Sequence, residues 1–174
     1  MAATGTPAIA LAQRAGVAFT LREYVLPERH GRAREDRPDY GLEAATALGV
    51  EPGRVYKTLV AVVEPDGRLV AAVVPVDRLL DPRRLAAAVG ARRSALADPL
   101  AAERATGSVV GGISPLAPRR PLPVVVDSSA MEHDRMLVSA GRRGLQIELA
   151  PADLVRLCTA TVAAITRIGP ESPP

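Results

Sequence analysis

Tryptophan and asparagine are absent from this chain of 174 residues, phenylalanine occurs once, and aromatic residues make up only 2% of it. A core without large rings must be built from many small aliphatic side chains, and the 48% hydrophobic content, mostly Ala, Val and Leu, supplies them. The single cysteine excludes an intrachain disulfide framework and fits a reducing compartment. With two histidines and that one cysteine there is no Cys/His cluster at metal-ligand spacing, so neither a metal nor another cofactor is expected. There is also no P-loop, no Gly-x-Ser-x-Gly elbow and no Gly-x-Gly-x-x-Gly opening a helix. Those absences remove Walker-type nucleotide hydrolysis, α/β-hydrolase chemistry and dinucleotide binding. The apolar runs are broken too early for a membrane span, by Glu64, Pro65 and Arg68, and the first residues carry no leader pattern. A cytoplasmic protein is expected.

Lysine is the most telling scarcity. Lys and Arg together number 22, and every one except Lys57 is arginine. A GC-rich genome explains the arginines on any surface indifferent to which cation it carries; it leaves open why "VYKTLVAVV" keeps its lysine. A compact ammonium reaches a phosphate or a developing oxyanion where the wider guanidinium does not fit, and a codon accident on an exposed strand is the alternative. The formal charge of +3 and pI of about 9.6 are compatible with a polyanionic partner such as RNA, although solvated arginines alone give the same balance.

Length favours one domain, residues 1–167, followed by a Pro-rich tail, 168–174, expected to be disordered. Thr6-Pro7, Asp81-Pro82 and Asp98-Pro99 each place a capping side chain before a proline, opening helices that run toward Gly16, Gly90 and Gly107. Further helices are expected over 42–48, closed by Gly49, and over 151–158. Strands are expected over 17–25, 55–63, 68–76, 108–110, 123–129, 135–140 and 145–149, with "EPDG" turning the second into the third as an antiparallel hairpin. The segment 27–39, "PERHGRAREDRPD", is dense in charge, proline and glycine and reads as a solvated loop. The fold class is α+β, with a mixed and largely antiparallel sheet.

Candidate chemistry gathers at four places. In "VGGISPL" the glycines Gly111 and Gly112 permit positive φ and close approach, so that successive N–H groups could face an anion or a polarised carbonyl; a plain turn would look the same. In "SAGRRGLQIEL", Gly141, Arg142 and Arg143 form a turn able to meet phosphate, or a solvated hairpin tip. His133 near serines and an aspartate offers a triad only in the sense that any chain of this size does, and Cys158 falls in an apolar helical pattern that reads as core.

"VYKTL", "ADPLAAERATG", "VGGISPL" and "GRRGLQIEL", in that order over about residues 6–167, resemble the YbaK family of aminoacyl-tRNA deacylases, related to the editing domain of bacterial prolyl-tRNA synthetases. The branch they are most similar to is the free-standing Cys-tRNA(Pro) deacylases. The resemblance implies a barrel-like sheet surrounded by short helices and hydrolysis of the ester of mischarged Cys-tRNA(Pro), with Cys-tRNA(Cys) as a further substrate. It implies that Lys57 is the essential residue, with Tyr56 and Thr58 beside it, and that Gly111, Gly112, Ile113, Ser114 and Pro115 form the substrate loop. Ser139, Gly141, Arg142 and Gln146 fall on the second glycine motif, and Tyr24 and Tyr40 on aromatic pocket positions. It further implies attack by the substrate's own thiol, the ribose hydroxyl assisting, so that Lys57 positions and stabilises and is not a base. Gln146 stands where the family can have aspartate, and the loop 27–39 is longer and more basic than in relatives. The implied partners are the acceptor end of mischarged tRNA and prolyl-tRNA synthetase, which would deliver substrate because basic groups look dispersed along the chain. Ala-tRNA(Pro) or another small mischarged amino acid is the alternative substrate, and a non-catalytic module binding tRNA or synthetase is the alternative of another class.

Overall fold

A computed structural model describes residues 5–26 and 39–169. Five helices are set by the capping chemistry visible in the sequence. Helix α1, Pro7–Arg14, starts where Thr6 Oγ1 accepts from Ile9 N at 3.3 Å. Helix α2, Tyr40–Leu48, begins two residues before its expected start because Asp39 caps it, accepting from Gly41 N and Leu42 N at 3.1 Å, and it ends at Gly49 with φ 63°. Asp81 and Asp98 cap α3, Pro82–Ala88, and α4, Pro99–Thr106, in the same way. Helix α5, Pro151–Cys158, matches its expected span.

The strands are β1, Phe19–Glu23; β2, Val55–Glu64; β3, Leu69–Pro75; β4, Leu79–Leu80; β5, Arg93–Leu96; β6, Val124–Asp127; β7, Met136–Arg142; β8, Leu145–Leu149; β9, Thr161–Ala163; and β10, Thr166–Arg167. The main sheet runs β1-β8-β7-β2-β3-β6-β9, with β5 also pairing β2, while β4 and β10 form a separate ribbon. The hairpin of β2 and β3 has the expected antiparallel register, Lys57 opposite Val74. The antiparallel majority is narrow, since β2 with β7, β3 with β6, and β6 with β9 are parallel.

Two expectations need correction. Residues 108–110 are not a strand: Val109 and Val110 are exposed, and Val110 N donates to Glu103 Oε1 at 2.9 Å, a helix side chain and not a ladder partner. Conversely, 93–96, which in sequence is only a short segment between helices, is the strand β5. The loop 27–39, with His30, lies outside the described residues except for Asp39, and so does the tail beyond Gly169.

Core packs on both faces of the central strands. On β3, Ala71 and Val73 join the cluster beneath α1 and α5, while Val70, Ala72 and Val74 join the one around Leu85 and Ile165. This explains why β3 reads as a continuous apolar run and not as an alternation. Among the described residues, no helix is long and apolar enough to cross a membrane.

Candidate active site

Strand pairing makes the site. Strands β2 and β7 are hydrogen-bonded over only two residue pairs, Val55 with Leu137 and Tyr56 with Val138. The next residue on each strand is Lys57 and Ser139. Beyond that point β2 turns to β5 as a neighbour, and a cavity of about 460 Å³ opens with both residues on its wall. Gln146 reaches the same wall from β8, as the register partner of Ser139. Tyr40, Thr58, Gly111 and Ile113 also line it, and Leu59, Val60, Leu96 and Ala102 make its apolar side.

The polar groups on that wall are incompletely satisfied. Thr58 Oγ1 and Gln146 Oε1 are buried without a hydrogen-bond partner. The Lys57 side chain has no ion pair or hydrogen bond among the described residues. Among the described residues, the one carboxylate on the cavity lining, Asp39, is occupied in capping α2. Buried polar atoms are almost always paired, so two without a protein partner on one wall call for an explanation, a bound water or ligand being one.

The glycine loop fits this wall through close approach. A β-carbon on Gly111, where φ is 88°, would stand 2.5 Å from the ring of Tyr40; one on Gly112 would meet the backbone of Arg142 and Arg143 at 2.8 to 3.0 Å. Ser139 ties the pieces together, its Oγ donating to Gly112 O at 2.9 Å and accepting from Gly141 N at 3.2 Å. The expected row of free amides is not met at Gly112, whose N–H is spent on Val109 O at 2.9 Å. The loop's approach to the cavity therefore rests on Gly111 and Ile113. Ser114 and Pro115 are buried behind it, Ser114 Oγ accepting from Leu116 N at 3.2 Å and Pro115 O accepting from the Cys158 thiol at 3.4 Å.

Other expected residues stand elsewhere. Tyr56 touches the cavity, but its hydroxyl lies 3.0 Å from Ser129 Oγ, within a chain that continues to Asp127, and burial pushes its pKa up to about 12. His133 packs edge-on against that ring, with no triad geometry about it. Burial likewise raises the Cys158 thiol to about 12, which keeps it from acting as a nucleophile near neutral pH. Tyr24 and Arg142 do not line the cavity; they border a neighbouring open groove, where Arg142 pairs with Glu23 at 3.4 Å. Arg143, indistinguishable from Arg142 in sequence, has a distinct place. Its guanidinium lies 4.5 Å from the centre of the Tyr40 ring while Nε donates to Val110 O at 2.8 Å, fastening the glycine loop to α2.

The family model described as the aminoacyl-tRNA editing domain matches residues 38–157. The chain is 38% identical to the Enterococcus faecalis protein EbsC, whose name describes a Cys-tRNA(Pro)/Cys-tRNA(Cys) deacylase, over 70% of this chain and 74% of that one. It is 31% identical to the Escherichia coli K12 multifunctional Ser/Thr-tRNA deacylase ProXp-y, over 63% of this chain and 67% of that one. A crystal structure titled as a trans-editing enzyme for prolyl-tRNA synthetase superposes with a TM-score of 0.77 at 23% identity, covering 96% of this chain and 99% of the other. With the match spanning both Lys57 and the glycine loop, this chain belongs to the aminoacyl-tRNA editing domain family.

Proposed function

We propose that this protein is a trans-acting aminoacyl-tRNA deacylase of the cytoplasm whose preferred substrate is Cys-tRNA(Pro), and that Lys57 is its essential residue. The observation that carries the reading is one unpaired ammonium beside two unpaired buried polar atoms, on the wall of a cavity large enough for an aminoacyl group and part of its ribose.

An aminoacyl ester is already activated, so the protein need only hold it and stabilise charge as it develops. Lys57 faces the acyl carbonyl and stabilises the oxyanion. Thr58 Oγ1 and Gln146 Oε1 accept hydrogen bonds from the substrate's ammonium or ribose hydroxyl. With cysteine as the acyl group, its sulfur attacks the carbonyl carbon and the carbon–oxygen ester bond breaks. The departing ribose oxygen takes up the proton the thiol gives up, and water then opens the cyclic thioester. No protein nucleophile enters this scheme, consistent with the raised Cys158 thiol and the packed His133. Leu59, Val60 and Ala102 restrict the acyl group by size, and a methylene is worth only about 1 to 3 kcal/mol, so alanyl and seryl esters also enter; without a thiol they are opened directly by water, the ribose oxygen leaving with its proton, more slowly than cysteine. The names of the two relatives, one describing cysteine and the other serine and threonine, favour cysteine through the higher identity.

Single-turnover deacylation of Cys-, Ala-, Ser- and Thr-tRNA(Pro), with and without prolyl-tRNA synthetase, tests this on wild type, Lys57→Arg and Lys57→Ala. Cysteine is expected to be released fastest, and both variants to lose about a hundredfold or more. Undiminished release by Lys57→Arg would remove the lysine from the mechanism, and no release by wild type would leave a binding module.

A further inference from the structure

Another concavity lies at the far end of β5. The groove between α3, β5 and β10, about 640 Å³, is lined by Arg83, Arg92, Arg93 and Arg167. Three of them lie within residues 83–93, and the pairing of β10 with β4 brings the fourth, Arg167, from far along the chain. Asp81 is the one acid on the lining among the described residues, and its carboxylate is spent, accepting from Arg83 N at 2.9 Å and Arg84 N at 3.2 Å and pairing with the Arg84 guanidinium at 3.6 Å. Arg93 is paired, with Glu64 at 2.8 Å, but Arg83, Arg92 and Arg167 have no side-chain partner among the described residues. Pro82, Ala87 and Ala91 give the groove low walls, and Ser94 Oγ donates to Pro82 O at 2.6 Å, holding β5 against α3.

We infer that this groove binds the sugar-phosphate backbone of RNA, gripping the tRNA several nucleotides from the end that enters the cavity. The inference rests on the reading of tRNA as substrate. Arginines without acid partners over small side chains suit phosphate, and a lining with no aromatic residue among the described ones argues against base stacking or base readout. The groove and the cavity are joined by one strand, since Leu96 lines the cavity while Arg93 and Ser94 line the groove. Arg93 pairs in register with Glu64, seven residues along β2 from Lys57, which sets the two sites about 23 Å apart. A terminal nucleotide cannot bridge that span, whereas the strand behind it can. The basic groups that look dispersed in sequence are thus partly gathered by the fold.

The test uses the triple variant Arg83→Ala/Arg92→Ala/Arg167→Ala, all three side chains being exposed and outside the cavity. Binding of an unacylated tRNA(Pro) transcript is followed by fluorescence anisotropy across a salt titration. The variant is expected to bind at least tenfold more weakly and to lower the slope of log K against log salt by roughly 2 to 3, close to one for each phosphate no longer neutralised. In deacylation, KM should rise about tenfold for full-length aminoacyl-tRNA and stay unchanged for an aminoacylated CCA trinucleotide, which is too short to reach the groove. Unchanged tRNA affinity and slope would overturn the inference, as would equal losses on both substrates. Weakened binding to synthetase with tRNA binding intact would overturn it in favour of a protein surface. If wild type binds tRNA with the expected slope but hydrolyses no ester, the proposed activity fails and the groove stands. If it hydrolyses esters but the variant binds like wild type, the reverse holds.

Discussion

A single methyl group tests the architecture of the cavity wall. Gly112 is packed against the backbone of the β7–β8 turn, so a β-carbon there must push peptide atoms that have nowhere to go. Gly112→Ala is expected to cost about 1 to 3 kcal/mol of stability, as overpacking does, and to lose activity in proportion. Gly111 differs, because what its β-carbon would meet is a side chain, the ring of Tyr40, and not backbone. Gly111→Ala still carries the strain of φ 88°, about 1 to 2 kcal/mol, but its distinctive mark should be a raised KM as Tyr40 and Arg143 lose their stacking. Urea denaturation with steady-state kinetics separates the two; wild-type stability for Gly112→Ala would contradict the packing described. The proposed role of the lone lysine belongs to the same scale: on a wall shared with Leu59 and Val60, a slim flexible amine is proposed to fit where a planar guanidinium would need a wider berth.

Helix starts are legible in sequence because capping is local chemistry. Thr6, Asp81 and Asp98 announce α1, α3 and α4 within a few residues, and each side chain is found accepting from the backbone as expected. The segment 108–110 misleads because β-branched residues favour strands only when a neighbour is present to pair with them, and there Val110 bonds a helix side chain instead. The start of α2 differs from expectation by two residues because Asp39 ends a charged loop and looks like one more of its charges. That cap bears on the proposed site, since Tyr40 is the first helical residue and leans on both Gly111 and Arg143. Asp39→Ala should therefore cost about 1 kcal/mol in stability and also raise KM for aminoacyl-tRNA, while Asp39→Asn, which keeps the capping oxygen, recovers most of both. Loss of activity in Asp39→Asn equal to that in Asp39→Ala would instead assign the carboxylate a direct role in the cavity.

At the scale of the whole molecule, the cavity exists because a short parallel pairing brings Lys57 beside Ser139, a meeting across more than half of the described chain that no local pattern encodes. The motifs are visible in sequence; which side chains share a wall is set by strand order, and so Tyr24 and Arg142, expected at the cavity, stand beside it. The same burial predicts how the fold responds to alkali. Tyr56, only 2% exposed and bonded to Ser129, is raised from its ordinary 10.0 to about 12, and Cys158 from 9.0 to about 12, both by burial. In the unfolded chain these groups lose their protons at the ordinary values, so above them the unfolded state holds fewer protons than the folded one and stability falls as pH rises. The loss should begin near pH 9 with Cys158, steepen near pH 10 as Tyr56 joins, and level off near pH 12, each group contributing a slope of at most about 1.4 kcal/mol per pH unit. Urea midpoints from about pH 8 to about pH 11 check this in three proteins. Cys158→Ala should remove the early part of the decline. Tyr56→Phe should be less stable than wild type near neutrality, having lost its bond to Ser129, yet decline less steeply above pH 10. Parallel declines in all three would mean that neither buried group governs the alkaline limit.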